Sequence, residues 1–165
     1  MSTRSVIARP YRSGIQGRYC HWDGYPSGVG KTLYRLNQGH FQGDTVALVR
    51  VLIDEHPAGW SFIVGADFSL EPRWVECDSS LPDDHPDRNR PQCYCHGDRS
   101  EEAMLLTYPG GTGGLCDAEY VYVIGEHSHI MLIYVVGGSF FHPRLNFLAT
   151  VQLNGPEPDW NLWGH

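Results

Sequence analysis

The chain has no concentration of basic residues. Its 12 Lys and Arg stand against 19 Asp and Glu, giving a formal charge of −7, and the cations do not gather into a patch. Affinity for nucleic acid comes largely from clustered cations that neutralise phosphates, so a nucleic-acid partner is not favoured. Long apolar runs are missing as well: no stretch approaches the ~20 apolar residues that cross a bilayer as a helix. Residues 1–10 carry two Arg with no apolar segment behind them, so no export signal is read there. The expectation is a soluble, cytoplasmic protein with no membrane partner. A paired cysteine framework is absent too, because five Cys is an odd number and no secretory leader precedes them; reduced thiols or a metal site remain. There is no Gly-x-Ser-x-Gly nucleophile elbow, and Ser139 lies near no identifiable base. Internal repeats are not visible.

What is present is the composition of a folded protein. With 165 residues, 41% hydrophobic and 12% aromatic, the chain is long enough to bury a core of its own, and it reads as one domain over 1–165. Residues 15–22 have strand composition and end in Asp23-Gly24-Tyr25-Pro26, which is turn chemistry. Val29, Leu33 and Leu36 recur at helical spacing, with Ser27 placed as an N-cap and Gly39 as a stop, so a helix runs to about Gln38. Asp44 can cap a second helix ending at His56-Pro57, although residues 46–53 also read as a buried strand. Residues 60–64 look like a strand, and 119–124 with 130–136 form the clearest one, an antiparallel hairpin. Residues 145–153 add another strand. Trp160 and Trp163 are spaced to share one face of a turn that docks a tail at 154–165. Trp22, Trp60 and Trp74 are read as core residues. The fold class is α+β: an antiparallel sheet built around the 119–136 hairpin, with two helices from the first third packed on it.

Asp23-Gly-Tyr-Pro-Ser-Gly-Val-Gly-Lys-Thr32 ends like a phosphate-binding P-loop, but the first Gly of that pattern would fall at Tyr25, and the nearest one is Gly24. Val51-Leu-Ile-Asp-Glu55 resembles the end of a Walker B strand. Against a nucleotide hydrolase using Gly30, Lys31 and Thr32 stand that displacement, the polar approach to the loop, and the short distance from Lys31 to Asp54. A milder reading keeps the turn into the helix as an anion-facing or ligand-facing surface made of His21, Asp23, Tyr25, Gly28, Gly30, Lys31 and Thr32. No residue is assigned a catalytic role.

Residues 77–102 lose nearly all apolar content and gain Asp, Pro, Arg and Cys, which makes a long loop of the kind that is functional, stapled or disordered. Cys77, Cys93, Cys95 and Cys116 offer four soft ligands for one structural zinc, with His96 as an alternative ligand. Cys93 and Cys95 are closer together than paired zinc ligands usually are, and the adjacent Cys95 and His96 look awkward as joint ligands. A reduced, metal-free loop is the rival reading. His127 and His129 are a further candidate pair at the hairpin tip.

Four blocks carry a resemblance: Tyr19-Cys-His-Trp-Asp-Gly-Tyr-Pro-Ser-Gly-Val-Gly-Lys-Thr-Leu33, His56-Pro-Ala-Gly-Trp60, Cys93-Tyr-Cys-His-Gly-Asp-Arg-Ser-Glu101 and Glu119-Tyr-Val-Tyr-Val-Ile124. Through them the chain resembles a group of small uncharacterised proteins of actinobacterial bacteriophages and their hosts. The resemblance implies an accessory protein that binds a host protein or a small anionic ligand instead of catalysing a reaction. A zinc-stapled interaction module without a ligand is the remaining alternative.

Overall fold

The computed structural model describes residues 2–73, 82, 84–97, 100–109, 114–115 and 117–164. Within them the chain is α+β. The strands are β1 (Ser5–Tyr11), β2 (Gly14–Cys20), β3 (Trp60–Phe62), β4 (Gln92–Cys93), β5 (Leu106–Tyr108), β6 (Tyr120–Gly125), β7 (Ile130–Ser139) and β8 (His142–Gln152). They form one sheet in the order β4-β3-β2-β1-β6-β7-β8, with β5 beside the first half of β2. Most neighbours are antiparallel, including the expected β6–β7 hairpin. The pairs β1–β6 and β2–β3 are parallel, so the sheet is mixed where the sequence suggested a purely antiparallel one. Residues 5–11, which the sequence reading left without a strand, form β1 near the middle of the sheet.

Two helices from the first third cover one face, as expected. After β2 the chain turns at residues 23–25 into a π-helical turn (Pro26–Gly30), which runs directly into α1 (Lys31–Gln38). Tyr25, not Ser27, occupies the N-cap, and no side chain caps it; Pro26 supplies the fixed backbone of the first turn. The second helical stretch starts where Asp44 accepts a hydrogen bond from the Ala47 N–H at 3.0 Å. It comprises α2 (Thr45–Val49) and a second π-helical turn (Arg50–Asp54), which settles the choice between helix and strand for residues 46–53.

The sheet separates two apolar layers because alternate residues of a strand face opposite sides. On the helix side Ile7, Cys20, Trp60, Tyr122 and Ile133 pack with Leu33, Leu48, Leu52 and Ile53. On the other side Val6, Ala8, Val121 and Val123 pack with Leu106 and Leu115. The chain end is docked: Trp160, in a 3-10 turn over Trp160–Trp163, is buried in the helix-side layer and contacts the Tyr34 and Trp163 rings. Among the described residues no helix is long and apolar enough to cross a membrane.

Candidate metal centre

β3 and β4 bring a group of soft ligands together. Cys93 pairs across the ladder with Trp60, so it sits beside the end of α2's π-helical extension, where the chain turns through His56 and Pro57. β4 ends at Cys93, and the bend that follows carries Cys95 into the same neighbourhood. The chain bends through residues 94–96, ahead of Gly97 with its φ of 74°, and His96 lies against the two sulfurs. The Cys93 Sγ lies 3.1 Å and the Cys95 Sγ 3.3 Å from His96 Nδ1, while the Cys95 Sγ lies 3.6 Å from His56 Nδ1. One donor atom from each of His56, Cys93, Cys95 and His96 lies within 4.8 Å of every other. A tetrahedral zinc with bonds of about 2.0–2.3 Å holds its donors roughly 3.3–3.8 Å apart, so the group is close enough to hold a metal ion.

The electrostatics of the group follow from its depth. His56 and Cys93 are buried, Cys95 is half-buried and His96 is exposed. Burial, with the neighbouring His96 second, pulls the His56 pKa down to about 4, which keeps its ring neutral. Burial pushes the Cys93 thiol up to about 12, with the negative charge of Cys95 adding to it. The neutral His56 ring is already the form a metal takes, and a dication would offset the cost of ionising the Cys93 thiol. Arg18 is 8% exposed, donates from Nε to the Ile53 carbonyl at 2.7 Å, and leaves one buried terminal nitrogen without a partner among the described residues. Burial lowers its pKa, and attraction to Asp54 and Cys95 opposes that.

Of the four thiols expected as ligands, Cys93 and Cys95 come together, and the alternative ligand His96 joins them. Cys77 and Cys116 lie outside the described residues, as do Trp74 and Asp83. The adjacent Cys95 and His96, which seemed awkward as joint ligands, both reach the cluster because the chain bends through residues 94–96. His56 was missed: it reads as a helix stop in His56-Pro57-Ala58-Gly59, and only the β3–β4 pairing places it beside residues 93–96. The His127 and His129 pair has another use for one member, since His129 Nδ1 bonds the Thr45 hydroxyl at 2.7 Å.

The P-loop-like segment is built differently from a phosphate cradle. The Gly28 N–H donates to the Tyr25 carbonyl and the Val29 N–H to the Asp23 carbonyl, both at 2.9 Å, so the turn satisfies its own amides. Gly28 and Gly30 are buried, Gly30 against the Tyr122 and Trp160 rings. The residues resembling a Walker B strand are helical; Asp54 forms a two-pronged pair with Arg9, at 2.8 and 3.0 Å, and Glu55 pairs with Arg50. Neither carboxylate is free for magnesium. Lys31 and Thr32 do line a cleft of about 350 Å³ with Ser27, Arg35, Val64 and Gly65, at the end of β3. His21, Asp23 and Tyr25 do not line it: His21 bonds the Tyr19 hydroxyl at 2.9 Å, and Tyr25 donates to Asp23 at 3.3 Å. Trp22, expected in the core, is 38% exposed and lies against the His21 ring; Trp60 is fully buried and donates to the Leu52 carbonyl.

No protein-family model, curated protein or solved structure matches the chain.

Proposed function

We propose that the protein is a zinc-containing binding protein and not an enzyme, with His56, Cys93, Cys95 and His96 holding one zinc ion. The observation that carries this reading is the convergence of two thiols and two imidazoles, from segments 37 residues apart in sequence, on a volume the size of one coordination sphere. Such a zinc ties the polar stretch around β4, which has few apolar side chains of its own, to the end of the second helical stretch and to β3. In the setting implied by the resemblance to phage proteins, the chain acts by holding a host protein or a ligand.

The test is elemental analysis of protein purified without chelator, with about one zinc per chain expected. Cys93 and Cys95 should resist a thiol reagent until chelator is added, and Cys93→Ser should lower the zinc content and the unfolding temperature together. Substoichiometric zinc, with Cys93 and Cys95 freely reactive in the native protein, rejects the reading.

A second reading is favoured by one observation. Lys31 has no hydrogen-bond or ionic partner among the described residues, and it shares its cleft with Arg35 at the C-terminal end of β3, which runs parallel to β2. Crevices at the carboxyl ends of parallel strands are common ligand sites. This reading makes the cleft a site for a small anion. Calorimetric titration with pyrophosphate should give saturable binding that Lys31→Ala weakens, without ATP or GTP turnover in the presence of magnesium. Turnover that Lys31→Ala abolishes would instead establish a nucleotide hydrolase.

A further inference from the structure

The metal group forms one wall of a second cleft, of about 390 Å³, whose lining includes His40, Glu55, His56, Glu71, Phe68 and His96. Two of the four proposed ligands therefore face open volume, and they are not equivalent. His56 is buried beside Trp60, with ring centroids 4.5 Å apart. His96 is exposed, and its ring packs on His56 at 5.0 Å. It also follows Cys95 directly, so it reaches the cluster only through the bend over residues 94–96, and holding an exposed side chain in place costs rotamer freedom that a buried ligand has already lost. Without His96, the set His56, Cys93 and Cys95 is still a complete tripod. Three protein ligands with a fourth position for an outside molecule is the arrangement of zinc sites that bind and exchange small ligands.

We propose that His96 is a displaceable ligand and that the metal accepts from the cleft a small molecule bearing a neutral nitrogen donor of the imidazole or amine class. The proposal rests on the zinc reading above. The class follows from charge. Two thiolates already balance the dication, so the metal offers an anion no net positive charge, and Glu71 on the cleft wall repels one, whereas a neutral nitrogen donor meets neither obstacle. Binding needs no redox step: one Lewis base replaces another on the metal, and the freed His96 imidazole turns into solvent.

Cobalt(II) provides the probe, because it takes the same donors as zinc and absorbs visible light when four-coordinate. The whole chain is loaded with Co²⁺, its stoichiometry measured, and the visible bands followed during titration with imidazole and, separately, with azide. His96→Ala is treated the same way. The expected result is one Co²⁺ per chain in both proteins, saturable band shifts with imidazole and none with azide. Removing the internal competitor should tighten imidazole binding to His96→Ala by about tenfold or more. Bands unmoved by imidazole in both proteins, at full cobalt occupancy, overturn the proposal and leave the metal centre standing. Loss of cobalt from His96→Ala overturns it as well, since His96 is then an obligatory ligand. Azide binding as tight as imidazole overturns the assigned ligand class. Absence of cobalt from the unmutated chain refutes the zinc reading itself.

Discussion

A Cβ built on Gly28 lies 2.2 Å from the Asp23 carbonyl oxygen, which is backbone and cannot swing away, whereas one on Gly30 lies 3.0 Å from the Tyr122 ring and 3.1 Å from that of Trp160. Gly28→Ala should therefore destabilise the protein by about 1–3 kcal/mol, and Gly30→Ala by less, as overpacking does elsewhere. Lys31→Ala should stay within about 0.5 kcal/mol of the unmutated chain, because the half-buried Lys31 has no hydrogen-bond or ionic partner among the described residues. Denaturant midpoints of the three variants check this; a Gly28→Ala midpoint equal to that of the unmutated chain would overturn it. Cys20 supplies a pH-dependent test. Wholly buried, its thiol is pushed from 9.0 to about 12, chiefly by desolvation. A thiol whose pKa is raised by folding contributes stability that is complete below the unfolded value and is lost as pH rises from about 9 towards about 12. Native alkylation at pH 8 should leave Cys20 unlabelled in a mass spectrum while denatured protein labels there, because the thiolate is the reactive form. Single residues were legible in the sequence where their chemistry is intrinsic: the thiols of Cys93 and Cys95 and the imidazole of His96 mark a soft-ligand cluster in any context. His56 was not, since its contribution depends on a strand pairing that no local pattern encodes.

Elements were legible where local rules govern them. Asp44 begins the second helical stretch as its N-cap, and Asp44→Ala should cost about 1 kcal/mol, read as a lower unfolding midpoint with the slope unchanged. The β6–β7 hairpin carries enough β-branched and aromatic residues to identify itself. β1 does not, for a physical reason: Val6, Ile7 and Ala8 are buried on both faces, so the polar alternation that announces a half-exposed strand is absent. Pro10 also argues against a strand, yet it is tolerated because β6 pairs only with Ser5 to Ala8, and beyond Ala8 one edge of β1 needs no N–H. Ile7 is fully buried between helices and sheet, so Ile7→Ala should cost about 2–5 kcal/mol in equilibrium unfolding. A peripheral N-terminal strand would lose far less.

At the scale of the whole molecule, the mixed sheet comes from long-range choices. β2 and β3 are joined by the two helical stretches, and such a crossover returns the chain parallel to where it left. β1 meets β6 across more than a hundred residues, also in parallel. Neither pairing can be read from periodicity, which reports the faces of a strand and not its neighbours. The same architecture predicts that a chain lacking residues 1–11 fails to fold, losing near-ultraviolet circular dichroism and unfolding cooperativity, because β2 and β6 would lose the strand that joins them.

That central place of β1 also sets a timetable for the nascent chain. A ribosome delivers β1 before either strand that pairs with it, and β2 can cover one of its edges almost at once. The other edge waits for β6, which ends at Gly125. Until then an apolar strand with an open ladder is held in trust, and pairings this distant in sequence form slowly. The sheet closes around β1 only after more than a hundred further residues have been added.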